Sequence, residues 1–316
     1  MIETLVKLDE NYFLQPFGLY NNSIICYFNS LLQALYSCTS ITEYLLNNED
    51  NFKSNSFVKL YIQIIKSYLA NKKHDNNIDK NNLVLFNEFL RLLKTKNIKF
   101  GYNQEDAGEL LILLLDIIND KHIYNLFYHK YNCDIYCKKC KNINNISNDI
   151  SIQFEIDSKA INNNFLSYKI DSNLHNLNKY IRNNYSNLDY YTCNKCNLNN
   201  YNIKINRLIL VPTIIVINFN KYLNKTNIFY PNELYFINKS INKKYYYKLV
   251  STIHHSGNMN YGHYFTKSIR KNTQSNNNDI YLLNDTSYDI DNFKPDNLTY
   301  ILFYHFIESL EYYSNE

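Results

Sequence analysis

The chain has 316 residues, of which 45% are hydrophobic and 16% aromatic, so it can bury a core and is not a disordered polypeptide. Its net charge of +4 is carried by dispersed lysines, which argues against a nucleic-acid-binding surface. It shows neither a secretory leader nor the roughly 18 consecutive apolar residues of a membrane span. We therefore expect an intracellular protein of the cytoplasm or the nucleus.

The chain begins with a weakly patterned lead-in, residues 1–17, followed by a cysteine-bearing segment, residues 18–35. From Tyr27 onward, apolar residues recur with the spacing of one helix face, whereas the Asn-Asn-Ser run before them suits an irregular approach. Cys26 is therefore predicted at or near a helix N-terminus, where free backbone N–H groups and the helix dipole favour a thiolate. The alternative is an unreactive buried cysteine.

Two patterns divide the rest of the chain. Apolar residues at three- and four-residue intervals predict helices at 40–46, 57–69, 83–93 and 104–118. After about residue 130, runs rich in Ile, Tyr, Phe and Val predict strands, most clearly at 150–156, 207–219, 245–254, 263–270, 279–284 and 299–306. Helices followed by strands indicate an α+β fold with two lobes that could hold a cleft between them.

Four cysteines form two Cys-x-x-Cys pairs, Cys137/Cys140 and Cys193/Cys196, which are far apart in the sequence. Four thiolates satisfy a tetrahedral structural zinc, so we predict that the two pairs hold one ion. The alternatives are four unrelated thiols or a redox dithiol, and the βαβ pattern that a redox dithiol needs around it is missing. Cys133 lies close to the first pair and is a rival ligand with poorer spacing.

A cysteine nucleophile needs a base, and the base needs an acceptor on its other nitrogen. The best candidate base is His263, which follows Gly262 and begins a strand-like run after a loop of small residues. His254 and His255 precede the same loop and remain rivals. Asp285, at the end of a predicted strand, is the matching acceptor, and an ordinary turn aspartate is the alternative.

Segments along nearly the whole chain, in this order, resemble the sequence boxes of the ubiquitin-specific proteases, the papain-like class of deubiquitinating enzymes. The first box of that family is similar to Gly18, Leu19, Asn21, Cys26, Tyr27, Asn29, Ser30 and Gln33, and the second to Gln104, Asp106, Ala107 and Glu109. The two cysteine pairs resemble its zinc knuckles, and residues 210–219 resemble its proline-led central strand. The last boxes are similar to His255, Gly257, Gly262, His263 and Tyr264, to Asn284 and Asp285, and to residues 300–304.

The resemblance implies a hand-shaped papain-like catalytic domain over residues 18–310. Its parts would be a helical thumb at 18–125, a zinc-bearing fingers region at 126–206 and a β palm at 207–310. It also implies that Cys26, His263 and Asp285 are nucleophile, base and orienting acceptor in hydrolysis of the bond after the C-terminal glycine of ubiquitin. The zinc would be structural, with no cofactor in catalysis.

The expected partners are ubiquitin and ubiquitinated proteins, with no nucleic acid and no membrane, and we expect a monomer. Because ubiquitin ends in the basic tail Leu-Arg-Leu-Arg-Gly-Gly, Asp106 and Glu109 are expected to bind its arginines and backbone. The alternative is that both acids only stabilise a helix start. Gly262 and Tyr264 are the other expected substrate contacts.

One position departs from the family pattern. The family usually has an asparagine two residues before the nucleophile, whose side-chain amide donates to the oxyanion, and here that position is Ile24. Asn21 or Asn22 could replace it. A weak or inactive ubiquitin-binding protein is therefore the main alternative function. A zinc-dependent nucleic-acid binder, suggested by the cysteine pairs, is opposed by the dispersed charge.

Overall fold

The computed structural model describes residues 5–21, 24–69, 81–101, 103–156, 167–169, 185–188, 190–219, 227–238, 241–258, 261–272 and 274–312. The α-helices in these ranges are α1 (Cys26–Leu35), α2 (Thr39–Asn47), α3 (Ser56–Leu69), α4 (Asn81–Thr95), α5 (Ala107–Ile118) and α6 (Lys121–Phe127). None of the helices described here has the length and apolar character needed to cross a membrane.

The strands follow the helices in the chain. They are β1 (His129–Cys137), β2 (Ile143–Ser151), β3 (Phe154–Ile156), β4 (Ser167–Lys169), β5 (Tyr185–Leu188), β6 (Asn202–Leu210), β7 (Ile214–Phe219), β8 (Asn227–Phe229), β9 (Glu233–Asn238), β10 (Lys243–Gly257), β11 (Gly262–Lys271), β12 (Asn278–Asn284), β13 (Ser287–Ile290) and β14 (Thr299–Glu311). The predicted strand at 207–219 is two strands, because Pro212 between them has no N–H for a sheet ladder.

Two main sheets result. The larger has the order β13-β12-β11-β10-β14-β7-β3, with β9 also paired to β10, and the smaller has the order β2-β1-β6-β5. Strands β4 and β8 form a separate parallel pair. The neighbouring strands of the larger sheet are antiparallel except for the β3–β7 pair.

Helix α1 is buried along its whole length and is anchored to β11 of the larger sheet. Thr266 Oγ1 donates to the carbonyl of Ser30 at 2.8 Å. The guanidinium of Arg270, which is fully buried, donates to the carbonyl of Gln33 at 2.6 Å and to its side-chain oxygen at 2.8 Å. These bonds fix the helix that carries Cys26 on the strand that carries His263.

The α+β class is confirmed, with helices before strands as the patterns predicted. The short helix α6 was not predicted. Its start is set by Asp120, which accepts the N–H of Ile123 at 2.9 Å. Helix α5 ends just before it at Ile118 and is followed by Asn119, whose φ is 51°. The division into thumb, fingers and palm stays a prediction. Strand β3 lies within the proposed fingers range and yet pairs with β7 of the larger sheet.

Candidate active site

Cys26 is the first residue of α1, as predicted, and its side chain is almost fully buried. Ile25 before it supplies no side-chain cap for the first N–H groups of the helix. Burial raises the pKa of the thiol, but hydrogen bonds from His263, the Tyr264 backbone and Gln104 outweigh it. The net result is a pKa below the ordinary cysteine value, which favours the thiolate.

His263 is the imidazole that reaches Cys26. Its hydrogen bond with the Cys26 sulfur raises its pKa to about 9, against the opposing effect of burial. Its Nε2 lies 2.6 Å from Asn284 Oδ1 and 3.8 Å from Asp285 Oδ2. The structure therefore brings the three predicted residues together, and it adds Asn284 as the nearer acceptor.

Asp285 is tied mainly to the segment that precedes the nucleophile. Its carboxylate accepts the side-chain amides of Asn21 and Asn29, each at 2.9 Å, and its carbonyl accepts the N–H of Leu19 at 2.7 Å. Its φ of 49° turns the carboxylate in this direction. A Cβ on Gly18 would overlap the backbone of Thr286, so only glycine permits this close approach.

Gln104 belongs to the second sequence box, but the sequence does not predict it at the reacting centre. Its Nε2 donates to Cys26 Sγ at 3.2 Å and to the carbonyl of Gly262, and its Oε1 accepts the N–H of Gly262 at 2.7 Å. The signal that could have found it is its place in the box that also holds Asp106.

The two rival histidines have other contacts. His254 is fully buried, with its Nδ1 3.1 Å from Asp296 Oδ2 and its Nε2 2.8 Å from Thr252 Oγ1. His255 packs its ring against Tyr264, with ring centroids 4.4 Å apart. Neither is placed as the partner of Cys26.

The predicted substrate contacts differ in what they expose. The ring of Tyr264 is 2% exposed, so the group that it offers to the site is its backbone N–H towards Cys26. Gly262 has no room for a side chain, because a Cβ there would overlap the ring of His255. Both residues therefore shape the cleft through their backbone.

Asp106 and Glu109 have different surroundings at the start of α5. Asp106 caps the helix, accepting the N–H groups of Gly108 at 2.7 Å and Glu109 at 2.8 Å, and its second oxygen accepts the hydroxyl of Tyr300. The helix-start role is thus real for Asp106. The side chain of Glu109 is exposed.

Ile24 lies on the surface, with 38% of its area exposed, whereas Ile25 is fully buried. Asn21 accepts the N–H of Ile25 at 3.2 Å while its amide donates to Asp285. Asn22 lies outside the described residues.

The four cysteines of the two pairs form one cluster, distinct from the active site. Their sulfurs all lie within 4.8 Å of one another, with 3.8 Å between Cys137 and Cys196 and 3.5 Å between Cys140 and Cys193. Zinc bound at about 2.3 Å to four sulfurs in a tetrahedron requires sulfurs about 3.8 Å apart, so the donor set fits a zinc ion. Cys133 instead contacts Asp149, at 3.0 Å.

Comparison with known proteins agrees with this geometry. A family model described as ubiquitin carboxyl-terminal hydrolase matches residues 17–304. A chain of the SAGA DUB module with Ubp8 bound to monoubiquitin superimposes with a TM-score of 0.72 at 18% identity, covering 97% of this chain and 72% of that one. The module bound to ubiquitin aldehyde gives a TM-score of 0.68 at 18% identity, covering 95% of this chain and 71% of that one. A yeast SAGA module gives a TM-score of 0.67 at 17% identity, covering 97% of this chain and 72% of that one. The fold is thus that of these structures, and the chain belongs to the ubiquitin carboxyl-terminal hydrolase family.

Proposed function

We propose that this protein is a deubiquitinating cysteine protease that hydrolyses the peptide or isopeptide bond at the C-terminal glycine of ubiquitin. The observation that carries the proposal is the meeting of Cys26 with His263, with the acceptors Asn284 and Asp285 on the far nitrogen of the ring. A thiol of lowered pKa beside an imidazole of raised pKa is the ion pair that attacks acyl carbon.

The reaction follows from these groups. The Cys26 thiolate forms a bond to the carbonyl carbon, and the carbonyl electron pair moves onto oxygen. When the intermediate collapses, the C–N bond breaks and the leaving amine takes the proton of His263. A water molecule then attacks the thioester, giving its proton to His263, and the freed thiolate is restored.

An exposed carboxylate in the first turn of α5 suits a basic substrate tail. Since the carboxylate of Asp106 already accepts backbone and hydroxyl donors, we assign the arginine contact chiefly to Glu109. Asp106 would hold the start of α5 in the position that presents it.

We also propose a structural zinc at Cys137, Cys140, Cys193 and Cys196, remote from the chemistry. A bound zinc would cross-link the turn after β1 to the turn before β6, and catalysis would need no cofactor. The matched structures are modules of several proteins, so they do not support our expectation of a monomer.

The experiment that tests the function is turnover of a fluorogenic ubiquitin substrate by the wild-type protein and by Cys26→Ala. Turnover that vanishes in the variant supports the proposal. The rival function, a ubiquitin-binding protein without activity, is motivated by Ile24. It predicts ubiquitin binding with neither turnover nor a covalent adduct with a ubiquitin whose C-terminus carries an electrophile.

A further inference from the structure

Gln104 links the two elements that carry the reacting groups. It lies in the loop before α5, and its carboxamide contacts both Gly262 at the start of β11 and Cys26 at the start of α1. Its Nε2 donates one hydrogen to the Gly262 carbonyl and the other to the sulfur, while its Oε1 accepts the Gly262 N–H. Both donors of the carboxamide are therefore used.

The pairing with Gly262 determines which end of the carboxamide faces the sulfur. Turning the amide over would place Oε1 against the Gly262 carbonyl and against the thiolate of Cys26, which are both acceptors. It would also leave the N–H of Gly262 facing Nε2. The backbone of Gly262 thus holds an N–H donor towards the reacting atom before any substrate arrives, which is the arrangement that makes electrostatic stabilisation effective.

The side-chain N–H of Gln104 acts on the Cys26 sulfur, which carries the charge before attack. Ile24 has no amide to offer, and hydrogen bonds to a charged acceptor are stronger than those between neutral groups. Burial raises the pKa of the Cys26 thiol, and Gln104 is one of the donors that lower it below its ordinary value.

We propose that Gln104 is a catalytic residue, whose side-chain N–H stabilises the Cys26 thiolate and holds the sulfur for attack. The proposal rests on the proposed function for its biological meaning. The contact itself can be tested without ubiquitin.

The test is the rate of alkylation of Cys26 by iodoacetamide as a function of pH. Gln104→Met keeps the length of the side chain and removes the donor, and Gln104→Glu replaces the donor by an acceptor. Loss of the hydrogen bond is expected to move the thiol titration upward by about one pH unit. That shift means about tenfold less thiolate at a fixed pH below the titration, or about 1.4 kcal/mol. Asn103→Ala, an exposed change in the same loop, is the matched control and should leave the profile unchanged.

Melting curves establish that each variant is folded, and because Gln104 is only half-buried, both are expected to fold. On ubiquitin substrate the same variants should lose kcat with little change in KM. An alkylation profile that coincides with wild type in either folded variant overturns the proposal. If wild type shows no ubiquitin turnover while the alkylation profile shifts in the variants, the role of Gln104 stands and only the proposed function fails.

Discussion

The acceptor of His263 can be identified by comparing substitutions at Asn284 and Asp285. The Asn284 oxygen lies at hydrogen-bond distance from Nε2, 2.6 Å, whereas the nearer Asp285 oxygen is 3.8 Å away. A hydrogen bond to a charged partner contributes about 1.5–3 kcal/mol, so Asn284→Ala should lower kcat/KM by about ten- to a hundredfold. Because Asn284 is only half-buried, the melting temperature should change little.

Asp285→Ala should behave differently. It removes one acceptor from each of the amides of Asn21 and Asn29. Although Asn29 also donates to the carbonyl of Tyr20 at 3.1 Å, its side chain is buried, and losing the bond to Asp285 costs about 1–3 kcal/mol of folding stability. Its activity should therefore fall together with its melting temperature.

The assay is turnover of a fluorogenic ubiquitin substrate, read beside thermal melting of the same samples. Asn284→Asp is the matched control, because it keeps an acceptor oxygen and should retain activity. Wild-type kcat/KM in a folded Asn284→Ala protein, with activity abolished in Asp285→Ala at unchanged melting temperature, would refute this reasoning. The carboxylate would then be the orienting acceptor.

Four further predictions concern separate parts of the molecule. Ile24→Asn adds an amide on an exposed side chain, so it should raise kcat by up to about 10²–10³-fold without loss of stability. Unchanged kcat in the folded variant would show that no oxyanion donor is missing at this position. Cys193→Ser should abolish bound zinc in metal analysis and lower the melting temperature, whereas Cys133→Ser should retain the metal; zinc retained in both would contradict the site. Activity should rise with pH as Cys26 ionises and fall above about 9, where His263 loses the proton that the leaving amine needs; a profile still rising beyond that point would exclude the ion pair. Glu109→Lys should raise KM by about fivefold, or about 1 kcal/mol, with kcat unchanged, and salt should reduce the difference in KM between variant and wild type. An unaltered KM would dismiss the arginine contact.

The sequence predicted the order of helices and strands because long apolar patterns identify elements well. The start of α1 at Cys26 followed from a change in pattern at one residue, and the convergence of Cys26 with His263 followed from the order of the boxes. Helix α6 was not predicted because its seven residues are too few to show a helical period, and only the Asn119–Asp120 pair marks its boundary with α5.

The finer details of the site depend on backbone geometry that no side-chain pattern records. The acceptors Asn284 and Asp285 are adjacent in sequence, and a single left-handed φ at Asp285 directs its carboxylate towards Asn21 and Asn29. Gln104 was missed for the same reason, since two of its partners are the N–H and carbonyl of a glycine. The burial of the Tyr264 ring depends on packing across the sheet.

The bonds from β11 to α1 determine when the nucleophile can become reactive during synthesis. Thr266 and Arg270 reach Ser30 and Gln33 across 236 and 237 positions of the chain. Contacts so distant in sequence form only after the intervening chain has been made and its loop entropy overcome. On a translating ribosome, α1 thus emerges long before its anchoring strand, and its cysteine remains an ordinary thiol. Stalled nascent chains that end before Gly262 should alkylate Cys26 at the rate of a free cysteine, and chains extended beyond Glu311 should show the enhanced rate. The protein would then have no hydrolytic activity until β11 has been translated and has paired with α1.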